Sequence, residues 1–448
     1  MPFILAALGL LVSIAVLVYR YVVYPALISD LKRLPNGHWS SPFTSLWIER
    51  RWLRNVDNNR RVTRLLKAHQ IAGPVVRVGP TDVSISSMEG LRQVYIVDLW
   101  KDDWYPTNDE LGCHMGHLPM IRIREREAHS QRKRMVAGVY NKSFVMSSPD
   151  LQGSAKLYFR ARLVPFLERA ATGSKPVNVL QFAQWSSADL ISAYLLGSTN
   201  RTDFLNDPAE RESYFGKEGD WTRDKEGGAR FFLNQCRATV AQIGREPAAA
   251  TKPVVLSRLY EQMKSSKLPL PGDELMKACT SELLDQFLAG HELISITLAY
   301  AFWELSKRPR LQIRLREELS NSRPRGSELP TLAALDSMPW INAVFYESLR
   351  LYHPTPGEQP RIAKDAGMKI HGYLIPQGTR VSASIYTQHH NEEVYPDSFK
   401  WDPERWMPDS NGKVDPDATR HFWAFGSGSR GCVGMRLRKI FCVLCAGS

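Results

Sequence analysis

One cysteine in this chain stands where chemistry is possible. Cys432 lies in the run Phe425-Gly426-Ser427-Gly428-Ser429-Arg430-Gly431-Cys432-Val433-Gly434, two residues after an arginine. A thiolate is a strong ligand for a soft metal or a haem iron. The four glycines let the backbone curl close to the sulfur and turn N–H groups towards it. Arg430 can neutralise a carboxylate held nearby. On composition alone the run reads equally well as a surface loop with a stray cysteine. The other cysteines, Cys113, Cys236, Cys279, Cys442 and Cys445, are scattered and suggest no disulfide framework. Cys442 and Cys445 form a C-x-x-C in an apolar run without a second pair, which argues against zinc or redox chemistry.

Three further sites carry candidate chemistry. Phe287-Leu288-Ala289-Gly290-His291-Glu292 sits inside a long helical pattern. A helix-interior glycine costs roughly 1 kcal/mol against alanine, so something must approach the backbone closely at Gly290. Glu292 is an acid in an apolar stretch, either a functional group or a glutamate on the wet side of the helix. Glu347 and Arg350, three apart, share a helix face and can pair. Arg405, in the stiff segment Phe399-Lys400-Trp401-Asp402-Pro403-Glu404-Arg405-Trp406, can close a charged triad with them. His129 and Lys133 are neighbours on one face of a basic helix whose other charges read as solvated.

The elements that must position these groups follow from caps and periodicity. After Pro271-Gly272, Asp273 reads as an N-cap, and Pro309 ends the run. Glu274 to Arg308 is then about 50 Å of helix, enough to cross a domain. Trp340 to Leu351 reads as a shorter helix and Glu125 to Val136 as the basic one. Val75 to Val78 and Asp82 to Ile85 alternate around Gly79-Pro80 as a β-hairpin does, and Lys369 to Ser384 suggests a small sheet. Residues 151 to 260 read as helices with loops, and Asn200 to Gly228 as an exposed connection.

With 43% hydrophobic and 23% charged residues, the 448-residue chain is globular rather than disordered. Its net charge of +12 points to nucleic acid, a membrane surface or an acidic partner. No nucleic-acid motif is present, which favours the other two. Phe3 to Tyr19 is apolar but for Ser13 and the terminal tyrosine, and with Tyr21 to Ile28 it is long enough to span a bilayer if Arg20 snorkels. No Lys or Arg precedes the run, as a signal peptide would require. Arg20, Lys32 and Arg33 after it place the body on the cytosolic, reducing side. The expected organisation is an anchor over 1–28, a linker over 29–45 and one catalytic body over 46–448.

The A-G-x-E turn, E-x-x-R, P-E-R-W and the cysteine loop occur in this order behind an anchor. Together they resemble a microsomal-type cytochrome P-450, similar to fungal members in the Gly73 to Pro80 segment. The resemblance implies a mainly α fold with a small β region and a buried haem b. It implies Cys432 as axial thiolate and Phe425 against the haem near the sulfur. Arg430, Arg361, His129 and Lys133 would meet the propionates. Glu347, Arg350 and Arg405 would form a structural triad. Ala289, Gly290 and Glu292 would line the oxygen pocket, the glycine making room for dioxygen. A haem-thiolate monooxygenase acting on a small lipophilic substrate follows, in fungal secondary metabolism or the breakdown of foreign compounds. Its electrons would come from an NADPH-dependent reductase at the endoplasmic reticulum membrane. Substrate contacts would come from Trp104 to Ile121, the long-helix middle and Thr355 to Gln359.

Two departures from the family pattern stand out. Leu293 and Ile294 follow Glu292 where the family has threonine. Only sixteen residues follow Cys432, which suggests a chain shortened at its C-terminus. A non-catalytic remnant, or a peroxide isomerase or dehydratase of the same fold, are the alternative readings.

Overall fold

A computed structural model of the chain describes residues 2–48, 58–97, 99–102, 115–173, 176–216, 225–243, 245, 252–266, 270–324, 330–364 and 367–437. The structure is mostly helical with two small sheets. Cys113, Cys442, Cys445 and the first part of the Trp104 to Ile121 segment lie outside the described residues. The chain forms two compact units. One comprises 1–105, 355–399 and 419–431; the other comprises 106–354, 400–418 and 432–448.

The first unit is built on sheet. β1 (Val75–Gly79) and β2 (Asp82–Ile85) form the expected hairpin, in the register Val75↔Ile85. β3 (Trp100–Lys101), β4 (Arg361–Ile362) and β7 (Arg380–Ala383) complete a five-stranded sheet ordered β1-β2-β7-β4-β3. β2 and β7 run parallel. β5 (Met368–Ile370) and β6 (Tyr373–Ile375) pair only with each other. The Lys369 to Ser384 stretch is therefore divided: its hairpin stands apart, and its last strand enters the larger sheet.

β1 is buried on both faces. Val75 faces a core with Val83, Ile85, Leu91 and Val381, while Val76 and Val78 face another with Leu65 and Ala68. Between them Arg77 is fully buried, its guanidinium donating to the carbonyls of Gly79, Pro25 and Pro80 at 3.2, 2.9 and 2.7 Å. Burial lowers its pKa to about 10. The stretch after Ile28 is packed: Leu31 and Leu34 belong to the sheet core, and Asn36 bridges to Arg77. Before it, Pro2–Val18 is an exposed helix that continues through Ile28. Ala6–Ile28, 23 residues, is long and apolar enough to cross a membrane.

The second unit is organised around one helix of 35 residues, Gly272–Ser306. Its N-cap is Pro271 rather than Asp273. Asp273 lies in the first turn, where it pairs with Arg237 and Lys277 and suits the positive end of the helix dipole. Pro309 opens the next helix, Pro309–Asn321, at a position where its missing N–H costs nothing. Helix Val179–Leu196 packs along the long helix and is buried over most of its length.

The described part of the Asn200 to Gly228 stretch is not an exposed connection. It contains helix Pro208–Phe215, and Thr202, Phe204, Leu205, Tyr214 and Phe215 are buried. Several of its polar groups are satisfied from a neighbouring helix. Fully buried Asp189 accepts hydrogen bonds from the Thr202 hydroxyl and the Phe204 and Leu205 N–H groups, with Arg162 3.8 Å away. A polar sequence thus covers an aromatic core.

Candidate active site

The cysteine loop is shaped by two glycines in the left-handed region, Gly426 at φ +62° and Gly428 at φ +72°. A Cβ on Gly428 would come within 3.1 Å of the Tyr95 carbonyl and 3.2 Å of the Ile96 Cα, so only glycine fits without a backbone shift. Buried Trp423 donates its N–H to His389 Nε2 at 3.1 Å, and Gly426 N–H closes a turn onto the Trp423 carbonyl at 2.8 Å. A tight turn over Gly428–Arg430 ends with Gly431 N–H donating to the Gly428 carbonyl at 3.1 Å. Phe425 is half-buried, 6.2 Å from the Phe422 ring. Arg430 is half-buried and Cys432 is exposed.

The other two described cysteines are buried, and burial pushes both thiols up to about 12. Cys279 donates its S–H to Met263 Sδ at 3.4 Å. Among the described cysteines, Cys432 alone is exposed.

Arg361 sits at the start of β4, opposite Val381 and Lys101. It is nearly fully buried. Its guanidinium donates to the Gln359 and Pro360 carbonyls and lies 5.2 Å over the Tyr95 ring. In the other unit His129 is buried and Lys133 half-buried on helix Arg126–Tyr140.

Sequence reasoning missed what ties that basic helix to the long one. Glu282, fully buried, accepts from Arg132 at 3.3 Å, the Met120 N–H at 2.8 Å and Gln286 at 3.0 Å. Gln286 in turn accepts from the Tyr140 hydroxyl at 2.6 Å. Burial drives the Tyr140 phenol well above its usual range, helped by Tyr194, Glu282 and Cys432. The available signal was Glu282 and Gln286, four apart in an apolar stretch.

In the middle of the long helix Ala289 is exposed, and the Glu292 side chain is 29% exposed. Gly290 faces helix Val179–Leu196. A Cβ there would lie 2.1 Å from Ile191 Cδ1. The close approach inferred from the glycine is real, but the approaching group is a packed isoleucine. Room for dioxygen does not explain the glycine, whose missing side chain points at Ile191. The hydroxyls that follow are already engaged: Ser295 donates to the Glu292 carbonyl at 2.8 Å and Thr297 to the Leu293 carbonyl at 2.9 Å.

Glu347, Arg350 and Arg405 are brought together. Glu347 and Arg350 lie on helix Pro339–Leu351, both fully buried, joined by two 2.8 Å bonds from Nε and Nη2 to the two carboxylate oxygens. Arg405 Nε reaches Glu347 Oε1 at 3.3 Å. The Trp406 indole donates to Oε2 and the Asp402 N–H to Oε1, both at 2.9 Å. Arg350 also donates to the Lys400 carbonyl at 3.2 Å. Every oxygen of a buried carboxylate is therefore satisfied, as a buried charge requires.

These donor groups fit a haem-thiolate cofactor by their chemistry. An exposed thiol follows a glycine turn, and the cationic groups expected for propionates are a buried Arg361, a half-buried Arg430, a buried His129 and a half-buried Lys133. No cluster of three or more metal-binding side chains competes among the described residues.

The family model for cytochrome P-450 matches residues 229–441. The chain is 26% identical to cytochrome P-450 monooxygenase avaI of Aspergillus versicolor, over 81% of this chain and 90% of that protein. It is 25% identical to cytochrome P-450 monooxygenase ORF9 of Penicillium roqueforti, over 99% of this chain and 87% of the relative. It is 27% identical to cytochrome P-450 monooxygenase ucsK of an Acremonium species, over 84% and 78%.

Proposed function

Because the chain belongs to the cytochrome P-450 family and is a monooxygenase, we propose that it inserts one atom of dioxygen into a small lipophilic substrate through a haem b held by Cys432. The observation that carries the Cys432 assignment is the contrast among thiols. Cys432 is exposed at the end of a glycine turn, while Cys236 and Cys279 are buried with thiols held protonated. When bound, a thiolate-ligated haem supplies the activation of dioxygen.

The chain's own residues supply position and protons. Arg361, Arg430, His129 and Lys133 would hold the propionates of a bound haem, and Phe425 would lie near the sulfur. Glu347, Arg350 and Arg405 keep their helix and the Trp401 to Trp406 segment as one rigid piece. Ala289 and the backbone at Gly290 would line the oxygen side, where Glu292 would deliver protons. A net charge of +12 suits an acidic NADPH-dependent reductase as electron donor. The apolar N-terminal helix supports membrane attachment, at the endoplasmic reticulum with the catalytic body in the cytosol. The fungal sources of the relatives support a place in fungal secondary metabolism.

The test is the reduced, carbon-monoxide-bound spectrum of the full chain and of Cys432→Ala. The native protein is expected to show the red-shifted thiolate band and the variant to lose it. A normal thiolate band in Cys432→Ala would overturn the assignment.

A further inference from the structure

Next to Glu292 on the long helix stands a histidine that no part of the mechanism uses. His291 is fully buried, and its Nδ1 has no hydrogen-bond partner. Phe287 encloses the ring at 4.9 Å, and Tyr214 and Phe215 of helix Pro208–Phe215 stand edge-on at 5.9 Å. Its two nitrogens face two different groups. Nε2 lies 3.4 Å from the Tyr214 hydroxyl and Nδ1 3.7 Å from Glu292 Oε1.

The tautomer depends on which way the Tyr214 contact runs. Burial, and then the Glu292 charge, push the Tyr214 phenol well above 10, so the hydroxyl stays protonated and able to donate to Nε2. Burial lowers the imidazole to about 3, so the ring carries one proton. With Nε2 accepting, that proton sits on Nδ1, the nitrogen nearer the carboxylate.

We propose that His291 is a positioning residue for Glu292, its Nδ1–H aimed at the carboxylate and its tautomer fixed from behind by Tyr214. The proposal rests on reading Glu292 as the proton-delivering acid. Leu293 and Ile294 bring no donor to that acid. His291 brings one from the other side.

Charged residues on three neighbouring helices are engaged or exposed. Helix Val179–Leu196 has one charged residue, Asp189, engaged with Thr202, Phe204 and Leu205. On helix Pro208–Phe215, Glu210 accepts from the Asp203 N–H, Arg211 donates to the Phe204 carbonyl, and Glu212 is exposed. From helix Lys225–Gln242, Phe231 and Phe232 reach Tyr214 and Phe287, while Arg237 pairs with Asp273 and Arg230 is exposed.

A donor to the charged form makes a carboxyl more acidic, so removing it raises the pH at which Glu292 takes up its proton. The experiment is an infrared titration of the full chain labelled with carboxyl-¹³C glutamate. The protonated band missing from Glu292→Gln identifies the residue. His291→Phe, which fills the aromatic cage, is expected to raise the midpoint by about one pH unit, tenfold in proton affinity. His291→Gln, which retains an N–H donor, should return part of that shift. Tyr214→Phe, which releases the tautomer but keeps the ring, should raise the midpoint by less. Coincident midpoints for the native chain and folded His291→Phe overturn the proposal. If His291→Phe does not fold, an unchanged midpoint in Tyr214→Phe overturns it. The midpoint is read from the carboxyl band, whereas failure of the Cys432 reading shows in the carbon-monoxide spectrum. Failure of the acid reading shows as unaltered turnover in Glu292→Gln with the midpoint shift intact.

Discussion

At the residue scale the departure with the clearest consequence is Leu293. A threonine hydroxyl beside the acid can order the water that carries protons to bound dioxygen; leucine has neither donor nor acceptor. Ser295 does not compensate, because its hydroxyl is bonded to the Glu292 carbonyl and the side chain is fully buried. With a substrate lacking hydroxyls, NADPH consumption is expected to exceed product, with hydrogen peroxide as the difference. Leu293→Thr should raise the fraction of NADPH recovered as product several-fold. Tight coupling in the native enzyme with such a substrate would show that Leu293 is no defect.

At the element scale two buried carboxylates hold helices in place by different means. Glu347 is satisfied by arginines, an indole and a backbone N–H. Glu347→Ala leaves the buried Arg350 guanidinium without its carboxylate, at roughly 3–5 kcal/mol. Thermal denaturation should show that loss, together with poor soluble yield; a soluble variant of native stability would contradict the structural role. Asp189 is held mainly by neutral donors, and burial, opposed by those donors and Arg162, raises its carboxyl from 3.8 to about 7. The folded state therefore binds this proton more tightly than the unfolded state. Its stabilising contribution is complete below about 3.8 and is lost as pH rises through about 7. A rise of that size corresponds to about 4 kcal/mol between the two ends. Melting temperature should fall across this window in the native chain, and the fall should be shallower in Asp189→Asn. Parallel profiles would place the pH dependence elsewhere.

At the scale of the whole molecule the apolar N-terminal helix is also part of the sheet-bearing unit. Arg77 reaches back from β1 to the Pro25 carbonyl, 52 positions away in sequence. Deleting residues 1–20 and deleting residues 1–28 should both release the protein from membranes or leave it peripheral. Only the longer deletion removes the Pro25 acceptor, at about 1.5–3 kcal/mol for a bond to a charged donor. A lower melting temperature is expected for that form alone. Extraction of the full-length protein by salt would defeat the anchor reading, and equal melting temperatures would defeat the Arg77 link.

Local rules determined much of this protein from sequence alone. The β1–β2 hairpin follows from alternation around Gly79-Pro80. The long helix and the Glu347 helix follow from apolar period and proline punctuation, each within two residues of its observed ends. The cysteine loop was legible because its glycines and Cys432 are adjacent in sequence, and the Glu347–Arg350 pair because three residues is nearly one helical turn. The tertiary structure decided what distance along the chain conceals. It turned the described part of the Asn200 to Gly228 stretch inward, since Asp189 could satisfy backbone donors there from another helix. It gave Gly290 to Ile191 and the buried His291 to Tyr214, 77 positions away. Composition shows how polar a segment is, but only packing decides where its polar groups find partners, and burial follows from that.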